Sequence, residues 1–157
     1  ASAKARGFRP YEMLIIASLI EREAKVATDR SKIAQVIYNR LSKKMKLEID
    51  ASVKYGQDPA MAWTDMKATD TPYNTYLHAG LPPTPIANPG KASIQAALAP
   101  FGAPPSTDVA CIGLAVGVKC EYLYYVLADA AGGHVFATTY DQHLLNVEKA
   151  KVAGLLP

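Results

Sequence analysis

Apart from Ser18, apolar residues fill the run from Met13 to Ile20, and the pattern then turns abruptly to Glu21, Arg22 and Glu23. This predicts a helix from about residue 10, where proline is tolerated in the first turn, to about residue 26. At the helical period Ile16, Leu19, Ile20 and Glu23 share one stripe, whereas Glu21 follows Leu14, Ala17 and Ser18 on the neighbouring face. Glu23 is therefore the acid expected to point inward. Thr28 or Asp29 can cap a second helix whose apolar stripe is Ile33, Ala34, Ile37 and Leu41, with Arg30, Lys32 and Arg40 on the polar side. The two helices should pack as a hairpin. Beyond them Met45, Leu47 and Ile49 alternate with Lys46, Glu48 and Asp50, which predicts a short half-buried strand, followed by one helical turn over residues 51–56.

Residues 57–71 carry no clear pattern. Residues 73–90 are too rich in proline and glycine for a regular element and are predicted to form a long ordered loop. A short helix over residues 91–99 is stopped by Pro100, and residues 101–119 read as an irregular insertion. Residues 122–128 and 134–137 predict two strands of a hairpin, turning over residues 129–133, and a last helix covers residues 140–153. The sum is an α+β fold: a helical hairpin, a proline-rich loop and a small antiparallel sheet.

At 157 residues the chain suits one domain with its own core. Its composition is that of a globular protein, and no apolar stretch is long enough to cross a bilayer, because the run ending at Ile20 is short and followed by charge. No signal peptide is visible, and the start at Ala1 fits a mature or excised catalytic piece. The net charge of +3 is mild. Arg40, Lys43, Lys44 and Lys46 cluster; such a run either meets an anionic polymer or is the solvated end of a helix. It lacks interleaved aromatic residues, so no nucleic-acid module is indicated. His78, His134 and His143 are too dispersed to suggest a metal site. Cys111 and Cys120 bracket a Gly/Val-rich stretch; they are either a local disulfide, which implies an oxidising compartment, or two small buried thiols.

Two readings of the acidic pair stay open on composition. Glu21 and Glu23 either mark the solvated end of a core helix, partnered by Arg22 and Lys25, or Glu23 is a buried general acid. Low-dielectric surroundings can lift a glutamate from about 4.3 to roughly 6 or more, which makes a proton donor usable near neutral pH.

Five blocks bear on this choice: ASLIEREA, YNRL at 38–41, DASVKYG at 50–56, YNTYLHAGLPPTPIANPG at 73–90 and YLYYVLADAAGGHVF at 122–136. Together, and in this order, they resemble the MltG-like (YceG-like) endolytic murein transglycosylases over nearly the whole chain. The resemblance implies that Glu23, the second glutamate of the Glu-x-Glu pair, is the catalytic acid. It implies cleavage of peptidoglycan glycan strands between N-acetylmuramic acid and N-acetylglucosamine without water, leaving 1,6-anhydro ends and terminating nascent strands. No cofactor or metal is implied. In the family an N-terminal membrane helix and a LysM-like module precede the catalytic part, which works in the periplasmic space near penicillin-binding proteins; neither preceding part is expected within residues 1–157.

Substrate-binding expectations follow from the same blocks. Tyr73 and Asn74 are expected to form a groove wall, with Tyr55 either groove or core and Tyr76 undecided. Asn39 can reach the first helix to orient Glu23, or is an ordinary exposed asparagine. Asp50 matches its block but also suits a helix cap. Glu48 stands where relatives commonly carry glutamine, and either binds sugar or faces solvent. His134, after Gly132 and Gly133, is a possible donor to substrate or a turn histidine. The rival functions are a hydrolytic muramidase and a non-catalytic peptidoglycan-binding or scaffolding domain.

Overall fold

In the computed structural model, which describes residues 7–156, helix α1 (Pro10–Glu23) runs through the centre of the protein. Pro10 opens it, and Glu12 accepts a hydrogen bond from the Arg9 backbone N–H at 2.7 Å, satisfying a donor of the first turn. Met13 and every residue from Ile15 to Ile20 are buried, so α1 is enclosed on nearly all sides rather than along one stripe. Its helical conformation stops at Glu23, short of the expected end, and Ala24 is already extended. That break lets the chain reverse through a 3₁₀ turn (Ala27–Asp29) into α2 (Arg30–Ser42), completing the hairpin. It also lays Lys25 against the turn at Gly132, where a Cβ would come within 2.8 Å of the lysine stem and where φ is +90°; both conditions require glycine.

The short helices α3 (Asp50–Lys54) and α4 (Trp63–Ala68) follow, and α5 (Lys91–Leu98) packs on both α1 and α2. Tyr38 ties α2 to α5 by donating to the Ala97 carbonyl at 2.7 Å. Strands β1 (Tyr124–Leu127) and β2 (His134–Ala137) pair antiparallel, with Tyr125 opposite Phe136 and Leu127 opposite His134. Helix α6 (Tyr140–Val152) then packs on the sheet, its start fixed by a reciprocal cap between Thr139 and Gln142. The core runs from α1 and α2 into Leu47, Ile49, Ile86, Tyr122 and Phe136.

Two expectations are corrected. Residues 45–49 alternate in burial as a strand does, with Leu47 and Ile49 inside, but join no ladder. Glu48 has φ of +54°, and the polar backbone of the segment is satisfied by side chains and a loop instead. The Glu48 and Ile49 N–H groups donate to the carbonyl and hydroxyl of the buried Thr75, and the Arg40 guanidinium takes the Lys46 and Leu47 carbonyls. The second correction is Arg40 itself: it is 7% exposed, not part of a solvated cationic run. α4 arises where no pattern was legible, since it buries only Met66.

Cys111 and Cys120 are joined as a disulfide with Cα atoms 5.2 Å apart. The surrounding insertion is further held by Asp108, which accepts from the Tyr122 hydroxyl and pairs with Lys32.

Candidate active site

Glu23 occupies the last position of α1, where the helix has left the core but its side chain has not reached open solvent. The carboxyl lies on a groove of roughly 520 Å³ bordered by Glu48, Asp50, Lys54, Tyr76, Tyr125 and His134, among others. Burial raises its pKa above the ordinary glutamate value, and the nearby Asp50 carboxylate pushes the same way. A hydrogen bond from the Tyr125 hydroxyl (2.8 Å), the Ala51 backbone N–H and the charge on Lys54 oppose the rise without cancelling it. Glu21, one residue away across Arg22, behaves oppositely. Its Oε2 accepts from Ser93 Oγ at 2.6 Å and from the Gly90 N–H at 3.2 Å, and these bonds hold its pKa below the usual value. The pair is thereby divided: Glu21 is an ionised clamp between α1 and α5, and Glu23 is a carboxyl able to carry a proton towards neutral pH.

The structure brings together Glu23, Glu48, Asp50 and His134 of the residues expected from sequence. Asp50 accepts a hydrogen bond from the Tyr76 hydroxyl at 2.7 Å, and Glu48 pairs with Arg40 at 3.1 Å. The His134 ring and its backbone N–H both meet Asp29 Oδ2, at 3.0 and 2.8 Å. Asp29 therefore caps no helix with its side chain; it fixes the histidine so that Nδ1 faces Asp29.

Four others are placed elsewhere. Asn74 is fully buried, donating to the Lys67 and Thr69 carbonyls and accepting from the Tyr76 N–H, so it locks the loop instead of facing a glycan. Tyr73 packs on Tyr55 with ring centres 4.8 Å apart and bonds to Thr84 through its hydroxyl; neither ring borders the groove at Glu23. Asn39 donates to the Tyr122 carbonyl and accepts from Gln35, which joins α2 to the segment before β1 and leaves Glu23 untouched. Asn39 also borders a larger concavity of about 1130 Å³ between Phe8, Tyr11 and Pro82; among the described residues its one acid is Glu12, whose pKa is held low by Arg9. Among the described residues no group of three or more histidine, cysteine, aspartate or glutamate side chains converges as metal ligands.

Sequence reasoning missed Tyr125. Its signal is a tyrosine in the middle of a strand of the sheet, where a hydroxyl must find a partner. Burial and the adjacent Glu23 raise its pKa well above the ordinary tyrosine value, so it remains a donor and holds Glu23 in one rotamer. Because that bond favours the ionised carboxylate, Tyr125→Phe should move the Glu23 pKa further up. If Glu23 is a general acid, the alkaline limb of the kcat profile is then expected at higher pH, with turnover lowered roughly ten- to a hundredfold through loss of positioning. An alkaline limb that does not move would show that Tyr125 leaves Glu23 unaffected.

Fold and site define an α+β groove protein built around one protonatable glutamate at the end of a buried helix. The chain belongs to the YceG-like family, whose model matches residues 1–149. It is 41% identical over 142 residues to an endolytic murein transglycosylase of Bacillus subtilis (strain 168), covering 88% of this chain and 34% of that protein. An endolytic murein transglycosylase of Streptococcus pneumoniae is 31% identical over 155 residues, with 94% of this chain and 25% of that protein covered. The chain thus spans about a quarter to a third of these relatives. A crystal structure of a yceG-like protein from Listeria monocytogenes matches with a TM-score of 0.70 at 34% identity, covering 90% of this chain and 40% of the other.

Proposed function

We propose that this domain is an endolytic lytic transglycosylase that cuts peptidoglycan glycan strands between N-acetylmuramic acid and N-acetylglucosamine. The observation that carries the proposal is the raised pKa of Glu23 in an open groove, together with relatives named for this activity. Protonated Glu23 gives its proton to the bridging oxygen as the C1–O bond breaks, releasing N-acetylglucosamine as the free alcohol. The muramyl ring passes through an oxocarbenium-like state, a process that glycosidases normally divide between two carboxylates. Here the Glu23 carboxylate left behind takes the proton from the 6-hydroxyl of the same muramyl residue, whose oxygen closes onto C1. The 1,6-anhydro ring forms and the acid is regenerated with no water consumed. One carboxyl group suffices because the nucleophile is tethered, and intramolecular attack has an effective concentration far above that of an ordered water. Asp50 and Glu48, engaged with Tyr76 and Arg40, serve as substrate contacts in this scheme, and His134, whose Nδ1–H is held by Asp29, offers Nε2 as a hydrogen-bond acceptor.

Digestion in heavy-oxygen water tests the reaction type. The new muramyl ends are expected to be unlabelled and one water lighter than hydrolytic ends by mass. Predominant label at those ends would make the enzyme a muramidase, and no cleavage at all would favour a binding or scaffolding domain.

We place the domain on the outer face of the bacterial cytoplasmic membrane, in the periplasmic space, where its substrate is polymerised. The Cys111–Cys120 bond suits that oxidising compartment. No helix among the described residues is long and apolar enough to cross a membrane. Penicillin-binding proteins, which act on the same strands, are the proposed neighbours.

A further inference from the structure

The chain between α3 and α4 wraps around a cavity of about 350 Å³ that lies beside the groove at Glu23 and has no part in the reaction described above. Two residues join it to the groove. Lys54 borders both, and its charge acts on the Glu23 carboxyl. Trp63, the chain's one tryptophan, lines the cavity and meets the groove residue Tyr76 edge to face, with ring centres 6.2 Å apart. Lys54 Nζ lies 5.3 Å from the centre of the Trp63 ring, so the cation nearest the catalytic end of the groove is braced on the cavity's wall.

Most of that wall is apolar, made by Pro59, Met61, Trp63 and Met66. Two polar groups interrupt it. Gln57 Nε2 donates to the Val53 carbonyl at 2.7 Å and to the Met66 carbonyl at 3.1 Å, which fixes the orientation of its amide. Its Oε1 is left buried with no hydrogen-bond partner among the described residues. An acceptor in that state costs stability, and a donor brought in by a ligand would remove the cost. Met61 is half-buried and unbranched, so it is the part of the wall best able to yield to an incoming group. The second polar group is the Lys54 ammonium, which can only donate.

An apolar wall with one unmet acceptor and one donor is the complement of a secondary amide that ends in a methyl group. A sugar hydroxyl in the same place would leave the wall unfilled, and a protonated amine would face the charge of Lys54. We propose that this cavity is a subsite for the acetamido group of a glycan sugar bound beside the cleavage point. The amide N–H is directed to Gln57 Oε1, the carbonyl oxygen to Lys54 Nζ and the methyl group to Met61 and Trp63. The proposal rests on reading the domain as a cleaver of murein glycan, and it adds that strands lacking the N-acetyl group at this position bind more weakly.

Two neutral β-1,4 tetramers, of N-acetylglucosamine and of glucose, differ at carbon 2 only by acetamido against hydroxyl and test the subsite on the Glu23→Gln variant without turnover. Calorimetry should show the N-acetylated tetramer binding roughly tenfold more tightly, the size expected for one buried methyl group with its hydrogen bonds. Because Trp63 is the one tryptophan, its emission reports where the tetramer sits, and it should shift with the N-acetylated tetramer and not with the glucose one. Adding Met61→Ala, which touches no hydrogen bond of the fold, should cut the preference severalfold and leave the glucose tetramer unaffected. Equal affinity for the two tetramers, unchanged Trp63 emission on binding, or a full preference surviving in Met61→Ala would overturn the subsite. Should the tetramer occupy it as expected while the parent cleaves no glycan strand, the subsite stands and the transglycosylase reading falls.

Discussion

Glu23→Gln should bind glycan strands and fail to cut them, with activity down by about a thousandfold or more, within the range contributed by a positioned general acid. The amide fills nearly the volume of the carboxyl and can still accept from the Tyr125 hydroxyl, but it has no proton to transfer to the glycosidic oxygen. Stability should move the other way. The Glu23 pKa is raised in the folded protein, so the native state holds its proton over a pH window in which the unfolded chain has released it. The stabilisation from that proton is complete below the unfolded-state value and is lost as pH rises through the folded-state value, leaving a buried charge at higher pH. The glutamine variant escapes this loss, and its melting temperature should exceed the parent's increasingly as pH rises through the window. Glu21→Gln provides the contrast: its carboxylate is the stabilised form, held by Ser93 and Gly90, so the amide should lower stability and spare most of the cleavage. A Glu23→Gln protein that still released anhydromuramyl ends at near the parent rate would remove Glu23 from the reaction.

The order of elements was legible because the helices and the hairpin each announce themselves by period. α1, α2, α5, β2 and α6 lie close to where the pattern put them, since each has an apolar set at helical or strand spacing or a clear stop at proline or glycine. The failures share a cause. Residues 45–49 have the strand's alternation, but pairing depends on a neighbour, and the neighbour here is a loop whose Thr75 hydroxyl replaces a ladder bond. Glu23 was legible because an acid among apolar residues is locally improbable. Its partner Tyr125 lies 102 positions away, and no spacing rule connects them. Tyr73 and Asn74 read as groove residues because amides and tyrosines suit sugars. The same groups also suit loop locking, and only burial separates the two uses.

Arg40→Met should cost about 3 kcal/mol and lower the melting temperature by roughly 10 °C, at the usual few degrees per kcal/mol for a domain of this size. Arg40 Nε donates to the Leu123 carbonyl at 2.7 Å, and Nη1 lies 2.9 and 3.1 Å from the Lys46 and Leu47 carbonyls. These bonds tie α2 to the chain entering β1 and to the unpaired segment that floors the groove. Methionine keeps the apolar stem but leaves three carbonyls short of a donor, at about 1 kcal/mol or more for each one left buried. The ion pair with Glu48 is the smaller part, because the Glu48 side chain is 46% exposed and water can replace the guanidinium there. Glu48→Gln should therefore change stability by less than about 1 kcal/mol, which separates the carbonyl bonds from the charge pair. The damage should also reach function. With its carbonyls released, the stretch from Lys46 to Asp50 can no longer hold Asp50 and Ala51 beside Glu23, so cleavage should fall even below the lowered melting point. Thermal melts of Arg40→Met and Glu48→Gln side by side decide the matter, and equal small shifts in both would mean that the buried guanidinium is not what braces the groove floor.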